Sequence, residues 1–274
     1  MIILIIILII ILTLILGIVI WGGVTNWGFI GKSDNYIPKI IHQTAEKPPY
    51  NDIWDRCQKS WLKIFTKKKG FEYKMWKDED LENLVKNDFP RFLDIWEKYP
   101  YKINKIDIAR YMILYKYGGI YADMDCYCFK DFYNILDMNR PNIISGVPID
   151  GDLSKGWGDP NKGYEIIQNS LMASPKKHKF WLDALNLSKK LVNSGIKLTK
   201  DNVKEITGPI LISKLYDKNI NKLPVKNFRI GPFNSSFYNQ DTFVLHIQTG
   251  LWDGDNIDSI KKTRKNEIAE MDSI

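Results

Sequence analysis

Two pairs of charged residues at short, regular spacing are the first places where this chain could do chemistry. Asp123 and Asp125 lie two apart at the end of the apolar run Ile120 to Met124. If that run is a strand, the spacing turns both carboxylates to one face. Carboxylates held side by side repel unless a cation lies between them, and such oxygen donors suit Mn²⁺ or Mg²⁺. Asp-x-Asp pairs also occur in surface loops with no such role, so the pair alone carries little weight. Asp107 and Arg110, three apart in the preceding segment, share one face of a helix. They either work with the Asp-x-Asp or form a surface ion pair worth ~0–1 kcal/mol.

The elements that must position these groups can be read from the flanking pattern. Ile103 to Tyr117 reads as a helix ended by Gly118-Gly119, a C-cap signal, and a strand follows at once. That order brings the helix face and the Asp-x-Asp to the carboxyl end of a strand, where ligands sit in open α/β sheets. Upstream, Lys39-Ile40-Ile41-His42 is a β-prone run after Pro38, and Trp54, Cys57, Trp61, Leu62 and Phe65 recur at helical spacing. Phe71 to Trp76 alternates like a strand, and Asp78 opens an acidic first turn leading to Leu81 and Leu84. Phe180 to Val192 is an amphipathic helix, and Phe243 to Ile247 is strand-like. The βαβα order predicts an α/β domain with a largely parallel sheet.

Composition narrows the classes. The chain has 274 residues, 45% hydrophobic and 26% charged, which excludes a disordered or fibrous protein. Three cysteines exclude a disulfide scaffold. Cys126 and Cys128, one residue apart, cannot readily bridge each other. No Cys/His spacing suits zinc, so these two and Cys57 read as packing residues. The net charge of +7 is scattered, with Lys67-Lys68-Lys69 and Lys261-Lys262 the notable runs. A solvated lysine-rich face is expected, with no nucleic-acid partner. The basic field would still favour an anionic substrate or acidic lipid.

The amino terminus is a different solvent problem. Ile2 to Ile20 departs from Ile, Leu and Val only at Thr13 and Gly17, and as a helix it would span ~28 Å, close to a bilayer's hydrocarbon thickness. A cleaved signal peptide would want a basic start and a shorter core of ~7–15 residues. Trp21 and Trp27 follow where interfacial rings are favoured. The expected organisation is a single transmembrane signal anchor at 1–21, a stem at 22–36, a globular domain at 37–260 and a charged, frayed tail at 261–274. Lys32, Lys39 and Lys47 would weakly place the domain in the cytoplasm by the positive-inside rule.

The block Asp107-x-x-Arg110-Tyr111-x-x-Leu114-Tyr115-x-Tyr117-Gly118-Gly119-Ile120-Tyr121-x-Asp123-x-Asp125 resembles the signature of the DXD-containing glycosyltransferases of the Och1-type mannosyltransferase and capsular-polysaccharide-synthesis group. More distantly it resembles the clostridial glucosylating toxins. Supporting segments are Ile37 to Thr44, Tyr73 to Leu81, Asn169 to His178, Thr207-Gly208-Pro209 and His246 to Trp252. In two places the chain departs from the pattern. Thr249-Gly250-Leu251-Trp252 lacks the usual serine before the terminal tryptophan, and Ala45 stands where a tryptophan is usual after His-Gln-Thr.

The resemblance implies a GT-A-type nucleotide-diphospho-sugar transferase fold. It also implies metal-dependent transfer of a hexose from a UDP- or GDP-sugar to a glycan, glycolipid or glycoprotein acceptor, with retention at the anomeric carbon, in a Golgi-like or other endomembrane compartment. Asp125 would ligate Mn²⁺ (or Mg²⁺), and Asp123 would contact ribose and reach the metal directly or through water. His246 is either a third protein ligand or structural. Asp107 would accept hydrogen bonds from donor-sugar hydroxyls, and Arg110 would hold sugar and phosphate with its fork of donors. His42 and Gln43 would lie beneath the nucleotide, unless His42 only satisfies backbone groups. Asn169 would touch the donor sugar or fix a turn, and Trp252 completes the donor contacts. No covalent nucleophile is evident, and front-face departure needs none. Asp150, Asp152 and Asp159 lie in a Gly-rich stretch that is either an acceptor-facing loop or a plain surface loop. The sequons at Asn186 and Asn234 matter only in a lumenal domain. Two other classes stand beside the transferase: a membrane-tethered nucleotide-sugar or glycan-binding protein that has lost catalysis, and a metal phosphohydrolase. The second should want more clustered Asp and His ligands.

Overall fold

A computed structural model of the protein describes residues 36–46, 48, 50, 52–145, 167–249 and 264–274. The first strand, β1 (Ile40–Thr44), is followed by α1 (Asp52–Ile64), β2 (Glu72–Trp76), α2 (Asp78–Asp88), α3 (Leu93–Trp96) and α4 (Lys102–Tyr117). Then come β3 (Gly119–Ala122), β4 (Cys126–Cys128), β5 (Asn142–Ser145), β6 (Ile167–Ser174), α5 (Lys179–Asn193), α6 (Val203–Ile206) and α7 (Pro209–Ser213). The chain closes with β7 (Asn221–Leu223), β8 (Phe228–Ile230), β9 (Val244–His246) and α8 (Lys265–Asp272). The fold is mixed α/β.

Local chemistry sets the boundaries that matter for the site. The α4 helix is buried without interruption from Asp107 to Leu114, the charged Asp107 and Arg110 included, as happens where a helix is packed on both sides. It ends where Gly118 and Gly119 take positive φ values of 62° and 88°. A Cβ on Gly119 would lie 2.5 Å from the Ile40 carbonyl, so this sharp entry into β3, tight against β1, requires glycine. At α2, the Asp80 carboxylate accepts from the Lys77 backbone N–H at 2.9 Å and closes the first turn.

The main sheet has the order β2-β1-β3-β6-β5-β7, and a second sheet has the order β4-β9-β8. The parallel sheet expected from the element order is only partly present. The β1 strand runs parallel to β2 and β3, but β6 is antiparallel to both of its neighbours, β3 and β5. The β6 strand is eight residues long and buried along its whole length, and its direction is fixed only by pairing. Two large apolar clusters flank the main sheet. One packs α4 and α5 around Tyr111, Trp181 and Ile212, and the other gathers Trp61, Phe65, Phe71 and Phe132.

Two expectations concern the ends of the chain. No helix among the described residues is long and apolar enough to cross a membrane; the expected anchor at 1–21 and nearly all of the expected stem lie outside those residues. The carboxyl end is not frayed. The α8 helix buries Met271 in a cluster with Ile53, Cys57, Phe233, Leu245 and Ile247, and Arg56 grips Asp272 with bonds of 2.6 and 2.7 Å. Ile268 and Met271, three apart on α8, supply the apolar stripe that the charged composition concealed.

Candidate active site

The carboxyl ends of the parallel strands β1 and β3 and the start of β6 meet at one place, and the charged residues converge there. Arg110 lies at its centre, with only 3% of its side chain exposed. One terminal nitrogen donates to the Asn169 carbonyl at 2.7 Å and to Asp123 Oδ2 at 3.2 Å, and the other approaches Asp107 Oδ1 at 3.1 Å. Its Nε is buried with no hydrogen-bond partner among the described residues. The possible surface ion pair of Asp107 and Arg110 is therefore a buried cluster, in which removing one partner costs far more.

Asp107 is held on both oxygens. Oδ1 accepts from the Asn169 amide at 2.8 Å, and Oδ2 lies 3.1 Å from the Thr207 hydroxyl. Burial pushes its pKa up to about 6 despite the opposing charge of Arg110. The Asn169 amide also donates to the Tyr111 hydroxyl at 3.2 Å, so Asn169 ties helix to sheet.

Asp123 is the most open of the acidic groups, 24% exposed in its side chain against 5% for Asp107 and 12% for Asp125. Its Oδ1 accepts from the Tyr121 hydroxyl at 3.0 Å, and the Thr44 hydroxyl lies 2.9 Å behind that tyrosine. Burial raises its pKa, aided by the neighbouring charge of Asp125 and opposed by Arg110.

Asp125 has a different set of partners. The backbone N–H and the hydroxyl of Thr249 both donate to Oδ2 at 2.8 Å, and His246 Nε2 lies 3.3 Å from Oδ1. Burial alone would raise the pKa of Asp125, but His246 and the two Thr249 bonds reverse this and hold it well below the usual carboxylate range. Burial likewise disfavours charge on His246, and Asp125 more than offsets it, so the imidazole pKa is raised. His246 Nδ1 is buried and has no partner among the described residues.

The expected ligand trio of Asp123, Asp125 and His246 is thus divided. The group with donor atoms within 4.8 Å of one another is Asp125, His246 and Cys126. Asp123 is outside that group, and its two oxygens take bonds from Arg110 and Tyr121. A carboxylate oxygen and an imidazole nitrogen 3.3 Å apart fit neighbouring positions on an octahedral cation, roughly 3 Å apart for ~2.1 Å bonds. Cys126 is fully buried with its thiol near the Ser170 carbonyl, and burial pushes that thiol's pKa well up.

His42 is fully enclosed in the fold. Its Nε2 lies 3.0 Å from the Gly118 carbonyl and its Nδ1 accepts from the Trp76 indole at 3.1 Å. Both nitrogens are used inside the fold, and burial pushes its pKa down to about 3. Gln43 is fully buried, accepting from Tyr73 at 2.7 Å and donating to the Asp123 carbonyl at 3.2 Å. It supports the Asp-x-Asp backbone. Trp252, Asp150, Asp152 and Asp159 lie outside the described residues. Tyr121 and Thr44 were missed by sequence reasoning. Their signal was slight: alternate positions on neighbouring parallel strands with hydroxyls turned the same way. Thr207 and Thr249 lay in segments read only for their general pattern.

Comparison with known proteins finds similar glycosyltransferases. Residues 52–142 match the glycosyltransferase sugar-binding region containing a DXD motif. Inositol phosphoceramide mannosyltransferase 3 of Schizosaccharomyces pombe is 32% identical over 181 residues, 66% of this chain and 45% of the relative. The mannosyl phosphorylinositol ceramide synthase CSH1 of Saccharomyces cerevisiae is 28% identical over 247 residues, 89% of this chain and 60% of the relative. The chain thus spans about half of the curated relatives it matches. Among solved structures, the galactosyltransferase LgtC with donor and acceptor sugar analogues has a TM-score of 0.45 at 12% identity, over 83% of this chain and 95% of that one. The chain is a relative of the DXD-containing glycosyltransferases, and its Asp-x-Asp lies within their sugar-binding region at residues 52–142.

Proposed function

We propose that the protein is a metal-dependent glycosyltransferase of the GT-A type. It moves a hexose, mannose by analogy with the names of its relatives, from a nucleotide-diphosphate sugar to a glycan, lipid or protein acceptor, with retention. The observation that carries this reading is the buried contact set in which Arg110 touches Asp107, Asp123 and Asn169 directly, next to the pair Asp125 and His246.

Breaking the bond between an anomeric carbon and a diphosphate leaves negative charge on the phosphate and an electron-poor sugar. The site carries three carboxylates against one permanent cation, Arg110, so by itself it would repel a diphosphate. A divalent ion such as Mn²⁺, held by Asp125 and His246, would neutralise that repulsion and the charge that develops on the leaving group. Asp123, the exposed carboxylate, contacts the ribose. Arg110 is locked by three acceptors, so its positive charge is fixed in place before substrate arrives, at no cost in side-chain ordering. Asp107 and Asn169 would offer the sugar hydroxyls the acceptor capacity of their side-chain oxygens, since both hydrogens of the Asn169 amide are already given to Asp107 and Tyr111. No side chain is needed as a covalent nucleophile, because in a front-face departure the leaving phosphate oxygen can take the acceptor's proton.

Ile2 to Ile20 would tether this domain to an endomembrane of the Golgi kind. The decisive experiment is a screen of nucleotide sugars against the full chain with and without Mn²⁺, following nucleotide release. Mn²⁺-dependent cleavage of one donor is expected. A protein that binds a donor and shields it from cleavage would instead be the tethered binding protein, and the transferase reading would be lost.

A further inference from the structure

Between His246 and Thr249 the chain makes an unusual turn. Gln248 has φ of 55°, a left-handed conformation that costs a non-glycine residue free energy and persists only where surroundings enforce it. The turn has a consequence for Asp125. It folds the chain back so that the Ile247 N–H donates to the Asp125 carbonyl at 2.9 Å, while the N–H and hydroxyl of Thr249 reach Asp125 Oδ2. Two donors at 2.8 Å on one oxygen fix the carboxylate's rotation and leave the other oxygen, Oδ1, facing His246.

The enforcement comes from the carboxyl end of the chain. Arg264, at the start of α8, donates to the Ile247 carbonyl at 3.3 Å and the Gln248 carbonyl at 3.1 Å. Glu267, one turn along, lies 3.4 Å from Arg264 and accepts from the Phe233 N–H at 2.9 Å. On the other side the Trp54 indole of α1 approaches the Thr249 hydroxyl at 3.4 Å. We infer that the turn Ile247 to Thr249, clamped by Arg264, aims Asp125 Oδ1 at the cation, with Thr249 the positioning residue. This rests on the metal-dependent reading above.

The test is Mn²⁺ binding to the full chain by titration calorimetry, with melting in EDTA as the control for folding. Loss of a hydrogen bond to a metal-ligating group weakens metal affinity about 10–100-fold. Thr249→Val removes the hydroxyl and keeps the shape, so a loss in that range is expected. Thr249→Ser keeps the hydroxyl and should bind within about 3-fold of the wild type, below that range. Arg264→Ala should weaken binding through the turn while leaving every Asp125 partner chemically intact, and it serves as the second probe if Thr249→Val melts early. Wild-type affinity in both Thr249→Val and Arg264→Ala would overturn the inference and leave the metal reading standing. Equal loss in Thr249→Ser and Thr249→Val would also overturn it, because the hydroxyl would not be the cause. Failure of the wild type itself to bind Mn²⁺ would remove the metal reading, and this inference with it.

Discussion

Asp123 and Asp125 are separated by one residue, yet they belong to two regions that neutralise a buried carboxylate in opposite ways. On the side of the main sheet, Asp123 and Asp107 share Arg110, whose charge does not titrate and whose nitrogens are held on three sides. On the side of the small sheet, Asp125 faces His246, whose charge does titrate, together with two neutral donors from Thr249. The first region is a closed electrostatic unit that gives shape. The second can exchange a proton for a metal, because a neutral imidazole is a ligand and an imidazolium is not. A single Asp-x-Asp therefore spans a fixed half and an exchangeable half, and the two should respond differently to perturbation.

The largest separation is expected from Asp125→Asn. It removes a ligand while keeping the Thr249 bonds to a side chain of the same size, so the fold should persist in melting experiments. Mn²⁺-dependent nucleotide release should fall by ~100-fold or more, beyond the effect of losing an outer-sphere partner. Activity near the wild-type level would move the metal elsewhere. In the fixed half the opposite pattern is expected. Arg110→Ala leaves Asp107 and Asp123 buried without their cation, and should cost ~3–5 kcal/mol of stability in urea unfolding. Arg110→Lys should recover part of that stability but little turnover, because a point charge cannot span three acceptors. Arg110→Lys turning over like the wild type would show that the fork serves the fold alone.

The two halves were also unequally legible in the sequence. Asp107, Arg110, Asp123 and Asp125 fall within nineteen consecutive residues, and helical periodicity puts the first two on one face; β3 ends at Ala122, so the strand period expected to turn Asp123 and Asp125 to one face does not reach them. The elements α1, β2, α4, β3 and α5 follow from the same periodicities. The rest depends on pairing across long separations that periodicity does not encode. The antiparallel direction of β6 is one case; the approach of Thr249 to Asp125, 124 positions away, is another. His42 left two readings open in the sequence, and the Trp76 indole and the Gly118 carbonyl that engage both of its nitrogens favour the structural one. The charged tail misled because Ile268 and Met271 are too few to register in its composition, but the cluster around Ile53 and Leu245 buries them.

Asp107 offers the finest test of the fixed half, through pH. Its pKa is raised from 3.8 to about 6, chiefly by burial and in spite of Arg110, so the folded state holds the proton more tightly than the unfolded chain does. Its contribution to stability is then fully present below pH 4 and is lost as pH rises through 6. His42, whose pKa burial lowers from 6.5 to about 3, acts in the opposite sense over this range, losing stability as pH falls, so Asp107 flattens the wild-type profile between pH 4 and 6. Asp107→Asn should remove that contribution. The amide can still accept from Asn169 and Arg110 through its oxygen and donate to Thr207, whose hydroxyl has the Val203 carbonyl as a second acceptor at 3.1 Å. Urea unfolding from pH 4 to 7 should therefore show a steeper rise in stability for Asp107→Asn than for the wild type. Parallel profiles would mean that Arg110 keeps Asp107 ionised throughout.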